Sequence, residues 1–191
     1  MKLKALTILL LFSSNLLLDY SPLSIKQLIE QAEIIGKCEI IAVEDKTFTV
    51  KFLDVIKGEK PKKLKINKFR NWTCASRAID YKVGLTELIF LSKEKDGWEA
   101  LGAGNEGEIL MNKNAVYYMQ YIPLAKPNDY FEIEQKKLRG IIFEYADVKD
   151  AINYYIENSN IINKLNKEDR ENFKSENMFL VSIARSRPYN K

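Results

Sequence analysis

The chain has 191 residues, enough for one domain with an appendage or for two small lobes. Its composition is that of an ordinary globular protein, with no low-complexity stretch and no internal repeat. It contains no histidine, which excludes Ser-His-Asp and Cys-His catalysis. With only two cysteines, it also argues against a structural zinc site.

Lys2 and Lys4 precede a short apolar run, "ALTILLLF" at 5–12, and small polar residues come next at "SSN". Even extended to Leu18, the run is short for a transmembrane helix, so 1–18 reads as a cleaved export signal. The competing reading is an uncleaved anchor, because no good small-x-small site is present. No cysteine directly follows the apolar core, which argues against a lipid anchor. The mature chain is then expected outside the cytoplasm, periplasmic or extracellular. Loss of Lys2 and Lys4 lowers the net charge from +4 to about +2, which disfavours a nucleic-acid partner.

Ser24 is a plausible N-cap for a short helix over "SIKQLIEQA", with Ile25, Leu28 and Ile29 on one face. "EIIGKCEIIAVE", 33–44, reads as a long strand with Gly36, Cys38, Ile40 and Ala42 on one side. In the next strand Phe48, Val50 and Phe52 alternate with Thr47, Thr49 and Lys51. The alternation slips at Leu53, as at a β-bulge, and leaves Val55 pointing inward. Lys57-Gly58 and Pro61 mark a turn. "KKLKINKF" is a third strand. "LTELIFLS", 85–92, is a fourth, apolar on both faces and central. "WEALG" starts a fifth, and "GEILM" and "AVYYMQYI" add extended structure. Short strands at this spacing predict a sandwich or a small barrel. A composition shift at "PLAKPND" predicts a linker, then a mixed and finally helical segment. There "DVKDAINYYIEN" aligns Val148, Ala151, Ile152 and Tyr155. A last helix is predicted from an Asn166 cap to Pro188, with Phe173, Leu180, Val181 and Ala184 on its apolar face.

"IIGKCEII", a bulged strand running into "VIKGE", and a cysteine followed by "YKVGLTELIFL" occur in that order. Over roughly residues 24–120 this resembles the OB-fold barrel of the TIMP-like (netrin-like) superfamily, in particular its bacterial exported members. The resemblance implies a five-stranded OB-like β-barrel; with the C-terminal helices read above, which lie outside it, the expected fold is mainly β, such a barrel with a helical C-terminal extension. The expected division of the chain is the signal at 1–18, a barrel domain with a short leading helix at 21–122, and a linker with the helical extension at 123–191. Metalloprotease-inhibiting members begin their mature chain with C-x-C, whose terminal amine and carbonyl chelate the protease zinc. Here the first cysteine is Cys38, inside a strand, so that chemistry does not carry over.

Four groups of residues bear on function. Cys38 and Cys74 are disulfide candidates in an oxidising compartment. A bridge would close a loop of about 37 residues, worth roughly 3–4 kcal/mol. The alternative is two separate thiols, with Cys38 buried as a small apolar residue; a nucleophilic Cys74 has no evident base beside it. "GAGNEG", 102–107, matches G-x-G-x-x-G, but a dinucleotide site needs a helix after it. The next stretch, "EILMNKNAVYY", reads as extended, so a glycine-rich kink in a barrel strand is the preferred reading. The basic run "KGEKPKKLKINKFR", with Phe69 and Trp72 nearby, suits a nucleic-acid stripe less well than a lysine-studded edge strand. Glu106 and Glu108 are a conceivable acid/base pair, but no substrate pocket is evident.

These readings leave no catalytic residues, no metal site and no cofactor. The expected function is an exported, non-enzymatic interaction module that binds a protein partner. Binding-surface candidates are Arg70, Trp72 and Arg77 before the fourth strand, and Asn105, Glu106 and Glu108 after the fifth. The competing reading for the loops is local: Trp72 caps the barrel end and Arg77 pairs with Glu106 or Glu108. The first alternative function is a carbohydrate- or cell-envelope-glycan-binding module, with Trp72, Trp98, Tyr117 and Tyr118 available for stacking. The second is an enzyme of unknown type.

Overall fold

The computed structural model describes residues 22–71, 75–119, 129–133 and 135–186. The export-signal reading of 1–18 lies outside them. Strands β1 (Ile34–Val43), β2 (Thr47–Lys57), β3 (Leu64–Asn67), β4 (Thr86–Glu94) and β5 (Gly97–Ala100) follow one another around a closed barrel. Their order is β1-β2-β3-β5-β4, and β4 returns to β1. Every pairing is antiparallel except β3 with β5. This is the expected five-stranded OB-like barrel. From β4 the sheet continues outward through β6 (Glu108–Asn112), β7 (Ala115–Tyr118), β9 (Lys136–Glu144) and β8 (Asp129–Ile133).

Strand alternation separates two cores. Cys38 and Ile40 of β1, Phe48, Val50 and Phe52 of β2, Ile66 of β3, and Ile89 and Leu91 of β4 fill the barrel. Their neighbours of opposite parity, Ile35, Leu88 and Phe90, point outward and are covered by helices. That explains why β4 is apolar on both faces: it lies between two packed layers. Each fully buried side chain of this size contributes about 1.5–3 kcal/mol.

The slip at Leu53 is a bulge. Lys37 faces Asp54 while Cys38 faces Phe52, so Leu53 has no cross-strand partner and is 42% exposed. Val55 still packs against the barrel core. Across the bulge a Cβ on Gly36 would lie 2.6 Å from the Asp54 carbonyl oxygen, so only glycine allows the two strands this approach. The Asp54 carboxylate accepts hydrogen bonds from Tyr145 Oη at 3.0 Å and Lys149 Nζ at 2.7 Å, which ties β2 to the helical layer.

Four helices complete the described chain: α1 (Ile25–Gln31), α2 (Tyr145–Ile162), α3 (Lys167–Asn172) and α4 (Met178–Arg185). Ser24 caps α1 in a reciprocal box with Gln27, and Ile25, Leu28 and Ile29 are buried. Helix α2 buries Val148, Ala151, Ile152 and Tyr155, the face read from sequence. Tyr155 Oη donates to Glu30 Oε1 of α1 at 2.5 Å. Helix α4 packs on both α1 and α2. The two ends of the described chain therefore cover one side of the barrel together.

One detail of the C-terminal segment differs from the sequence reading, and a second makes it more specific. The single helix expected from Asn166 onward is two. It stops at Phe173 and restarts where the Asn177 side chain accepts from the Phe179 and Leu180 amides. A second short cap captured the chain before one long helix was complete. The helices are also preceded by a hairpin, β8–β9, whose inner strand pairs with β7.

Candidate functional site

The β3–β4 connection, residues 68–85, carries no regular strand or helix among its described residues beyond an isolated bridge at Ala75. Its described part turns back into the barrel mouth. Ile79 is buried in the barrel core, and the Tyr81 ring packs on Phe48 with centroids 4.6 Å apart. Between them Arg77 enters the interior. Its guanidinium donates through one terminal nitrogen to Glu87 Oε1 at 2.5 Å and through the other to Glu108 Oε2. Nε donates to the Ile79 carbonyl at 3.1 Å, and the guanidinium carbon lies 3.8 Å from the Tyr81 ring centroid. Tyr81 Oη donates to Glu108 and accepts from the Phe69 amide at 2.8 Å. Arg77 is 7% exposed, Glu87 0% and Glu108 1%.

The sheet dictates this meeting point. Glu87 shares the inward parity of Ile89 and Leu91, and Glu108 stands opposite Ile89 on β6. Both carboxylates thus enter the same interior, and Arg77 is the cation placed between them. With both carboxyls ionised, one positive charge would face two negative ones. Burial, opposed by Arg77 and reinforced by Glu87, pushes the Glu108 carboxyl up to about 8. Burial also acts against the charge on Arg77, but Glu87 and Glu108 outweigh it and hold the guanidinium protonated. The second oxygen of Glu87 has no hydrogen-bond partner among the described residues.

The glycine-rich segment supplies the roof. Ile89 faces Glu108, but Leu91, two residues further along β4, faces Ala100 rather than Glu106. The partner strand is thus interrupted by six extra residues, which loop out between β5 and β6. Phe90 closes the neck: its amide donates to the Gly107 carbonyl, and its carbonyl accepts from the Leu101 amide. A Cβ on Gly107 would lie 2.2 Å from the Leu101 carbonyl oxygen, so the neck requires glycine. The chain leaves this loop as strand β6, not as a helix, so the G-x-G-x-x-G spacing here makes a strand excursion, as expected. The loop reaches the β3–β4 connection through Asn105, whose Oδ1 accepts from the Ala78 amide at 3.1 Å.

The six binding-surface candidates therefore separate. Arg77 and Glu108 are paired inside the barrel. Asn105 pins the roof, and buried Glu106 accepts from the Leu23 amide at 3.0 Å. Arg70 is exposed. Trp72 and Cys74 lie outside the described residues, and so does the expected bridge. Cys38 is buried in the barrel, where burial, then Glu87 and Glu108, push its thiol well above the usual range. Among the glycan-stacking candidates, Trp98 and Tyr117 are half-buried. Tyr118 is buried, edge-on to Phe143 and Phe179, which also contact each other. Sequence reading missed Glu87. The available signal was a carboxylate at an inward parity of an otherwise apolar strand, which demands a cationic partner.

Arg70 lines an open cleft of about 560 Å³ together with Lys46, Lys68, Phe69, Asp96 and Glu99. The cleft is built from the end of β3. The Lys68 amide donates to the Lys46 carbonyl at 2.9 Å and so holds the β1–β2 turn. Asn67 Nδ2 donates to Glu99 Oε1 at 3.0 Å and to the Asp96 carbonyl at 3.4 Å, and so holds the β4–β5 turn. The lysine-rich strand is therefore not a free edge, because β3 pairs with β2 on one side and β5 on the other. Its lysines flank a surface depression instead. Among the described residues, no group of His, Cys, Asp and Glu is arranged to hold a metal, and no helix is long and apolar enough to cross a membrane.

Comparison of the chain with protein-family models, with curated proteins and with solved structures returned no match.

Proposed function

We propose that this chain is an exported, non-enzymatic interaction module of TIMP-like type, which binds a protein partner without the zinc-chelating N-terminus of the protease inhibitors. The observation that carries the reading is the contrast between two sets of charges. Arg77, Glu87 and Glu108 are spent on each other inside the barrel, where they close its mouth. Lys46, Arg70 and Asp96 line a cleft, and their side chains make no hydrogen bond or ion pair among the described residues. The two turns that carry Lys46 and Asp96 are held in place by the end of β3. OB-fold barrels engage oligonucleotides and oligosaccharides with the β2–β3 face and the loops after strands one and four, where this cleft lies; its use for a protein partner is an analogy from fold. Export rests on Lys2, Lys4 and the apolar run at 5–12, and a Cys38–Cys74 bridge suits that compartment.

The test is affinity capture from cell-envelope extract on the immobilised mature chain, with wild type and Arg70→Ala compared at equal thermal stability. The expected result is retention of one polypeptide by wild type and its loss with the variant. Retention of glycan alone, or turnover of an envelope component, overturns the reading.

A further inference from the structure

The cleft beside β3 has a charge arrangement that narrows its ligand, on the reading that the chain is a binding module. We propose that it takes an extended polypeptide segment of mixed charge. An acidic side chain would face Lys46, Lys68 and Arg70, and a basic side chain would face Asp96 and Glu99.

The two walls carry opposite charge. Lys46 stands on the β1–β2 turn, and Lys68 and Arg70 follow β3. Asp96 and Glu99 come from the β4–β5 hairpin across the depression. Lys68 Nζ is held 5.6 Å from the Tyr81 ring centroid and Glu99 is held by Asn67, so these two charges are fixed in position. Lys46, Arg70 and Asp96 are left for a ligand. A nucleic-acid strand would gain three cations but bring its phosphates against two carboxylates, a like-charge contact that costs affinity. A neutral glycan would cover charged groups without neutralising them, which costs desolvation energy. A peptide with both signs satisfies both walls, and Phe69 offers its apolar parts a surface. The backbone of the two turns is tied by hydrogen bonds, so the ordering that accompanies binding falls on the Lys46, Arg70 and Asp96 side chains rather than on the loops that carry them.

The experiment is selection of a random peptide library on the immobilised mature chain, followed by fluorescence anisotropy of the recovered peptides and of a poly-dT oligonucleotide. The variants Arg70→Glu and Asp96→Lys are measured in parallel, with their thermal unfolding. The expected outcome is recovery of peptides that carry both acidic and basic residues. Each charge reversal should weaken their binding by about tenfold or more at unchanged stability, and added salt should weaken it further. Recovery of peptides with one sign of charge only, insensitivity to Asp96→Lys, tighter binding of poly-dT, or recovery of no peptide each overturns the proposal. Failure of the broader reading looks different. In that case envelope capture yields no polypeptide at all. If it yields one whose retention ignores Arg70→Glu and Asp96→Lys, the module reading stands and this cleft is not its site.

Discussion

Arg70 and Arg77 stand in the same β3–β4 connection and have opposite fates. Arg70 is exposed at the cleft, and its side chain makes no hydrogen bond or ion pair among the described residues. Arg77 is buried, with a carboxylate at each terminal nitrogen. Residue type and neighbourhood in the chain do not distinguish them. Strand parity does, because it points the Glu87 and Glu108 carboxyls into the barrel, where a buried charge needs a cationic partner. One arginine closes the fold and the other is left for a ligand. Tyr81 connects the two regions: it touches Glu108 on one side and holds the Phe69 amide, in the cleft floor, on the other.

The comparison is broken most severely by Arg77→Ala. It leaves Glu87 and Glu108 buried without a cation and should cost about 3–5 kcal/mol in urea unfolding. Next is Gly107→Ala, which forces open the neck of the glycine loop; a loss on the order of 1–3 kcal/mol is expected by the same measurement. Tyr81→Phe keeps the ring on Phe48 but deprives Glu108 and the Phe69 amide of the hydroxyl, with an expected cost of about 1–2 kcal/mol. Arg70→Ala should change stability by less than about 0.5 kcal/mol, since nothing in the described fold depends on that side chain.

Two carboxyls crowded in the barrel also give stability a pH dependence. In the folded chain Glu108 keeps its proton up to about pH 8, whereas an unperturbed glutamate releases it near 4.5. The folded state therefore binds more protons than the unfolded state across that window. Its contribution to stability is fully present below about 4.5 and is lost as pH rises towards 8. Asp54 acts in the other direction: burial opposes its charge, but Lys149 and Tyr145 outweigh burial and hold its carboxyl below 3.8. Its contribution is present above that value and is lost only in acid. Unfolding free energy measured from pH 5 to 9 should decline, and Glu108→Gln should flatten the decline. A wild-type profile that rises with pH would show that Glu108 is ionised throughout.

Much of the barrel was legible because parity and size determine it. Phe48, Val50 and Phe52 alternate cleanly, and the slip at Leu53 marks the bulge that aims Asp54 at helix α2. Ser24 and Gln27 announce α1 by their spacing. The β8–β9 hairpin was less visible: "KKLRGIIFE" has weak alternation, and its strand character comes from pairing with β7, a contact distant in sequence. The break between α3 and α4 turns on one competing cap, Asn177, inside a pattern that otherwise reads as continuous. At the site, the contact between the two loops was legible as Arg77 against an acidic residue. Its burial was not, because it depends on Glu87 entering from a strand that reads as apolar on both faces apart from that one carboxylate. The cleft was legible only as a lysine-rich run. Which lysines share a depression with Asp96 and Glu99 depends on the parallel pairing of β3 with β5, and no local pattern encodes that pairing.

The central claim is that Arg77 holds the β3–β4 connection onto a barrel that is otherwise complete. Native-state amide hydrogen exchange of wild type and Arg77→Lys tests it most directly, since lysine keeps the charge but cannot bridge both carboxylates. The reporting amides are Phe69, bonded to Tyr81 Oη, and Ala78, bonded to Asn105 Oδ1. The expected result is at least about tenfold faster exchange at these two amides, with the amides of Val50 and Ile89 in the barrel unchanged. Unchanged exchange at Phe69 and Ala78, or an equal loss of protection throughout the barrel, would contradict the claim.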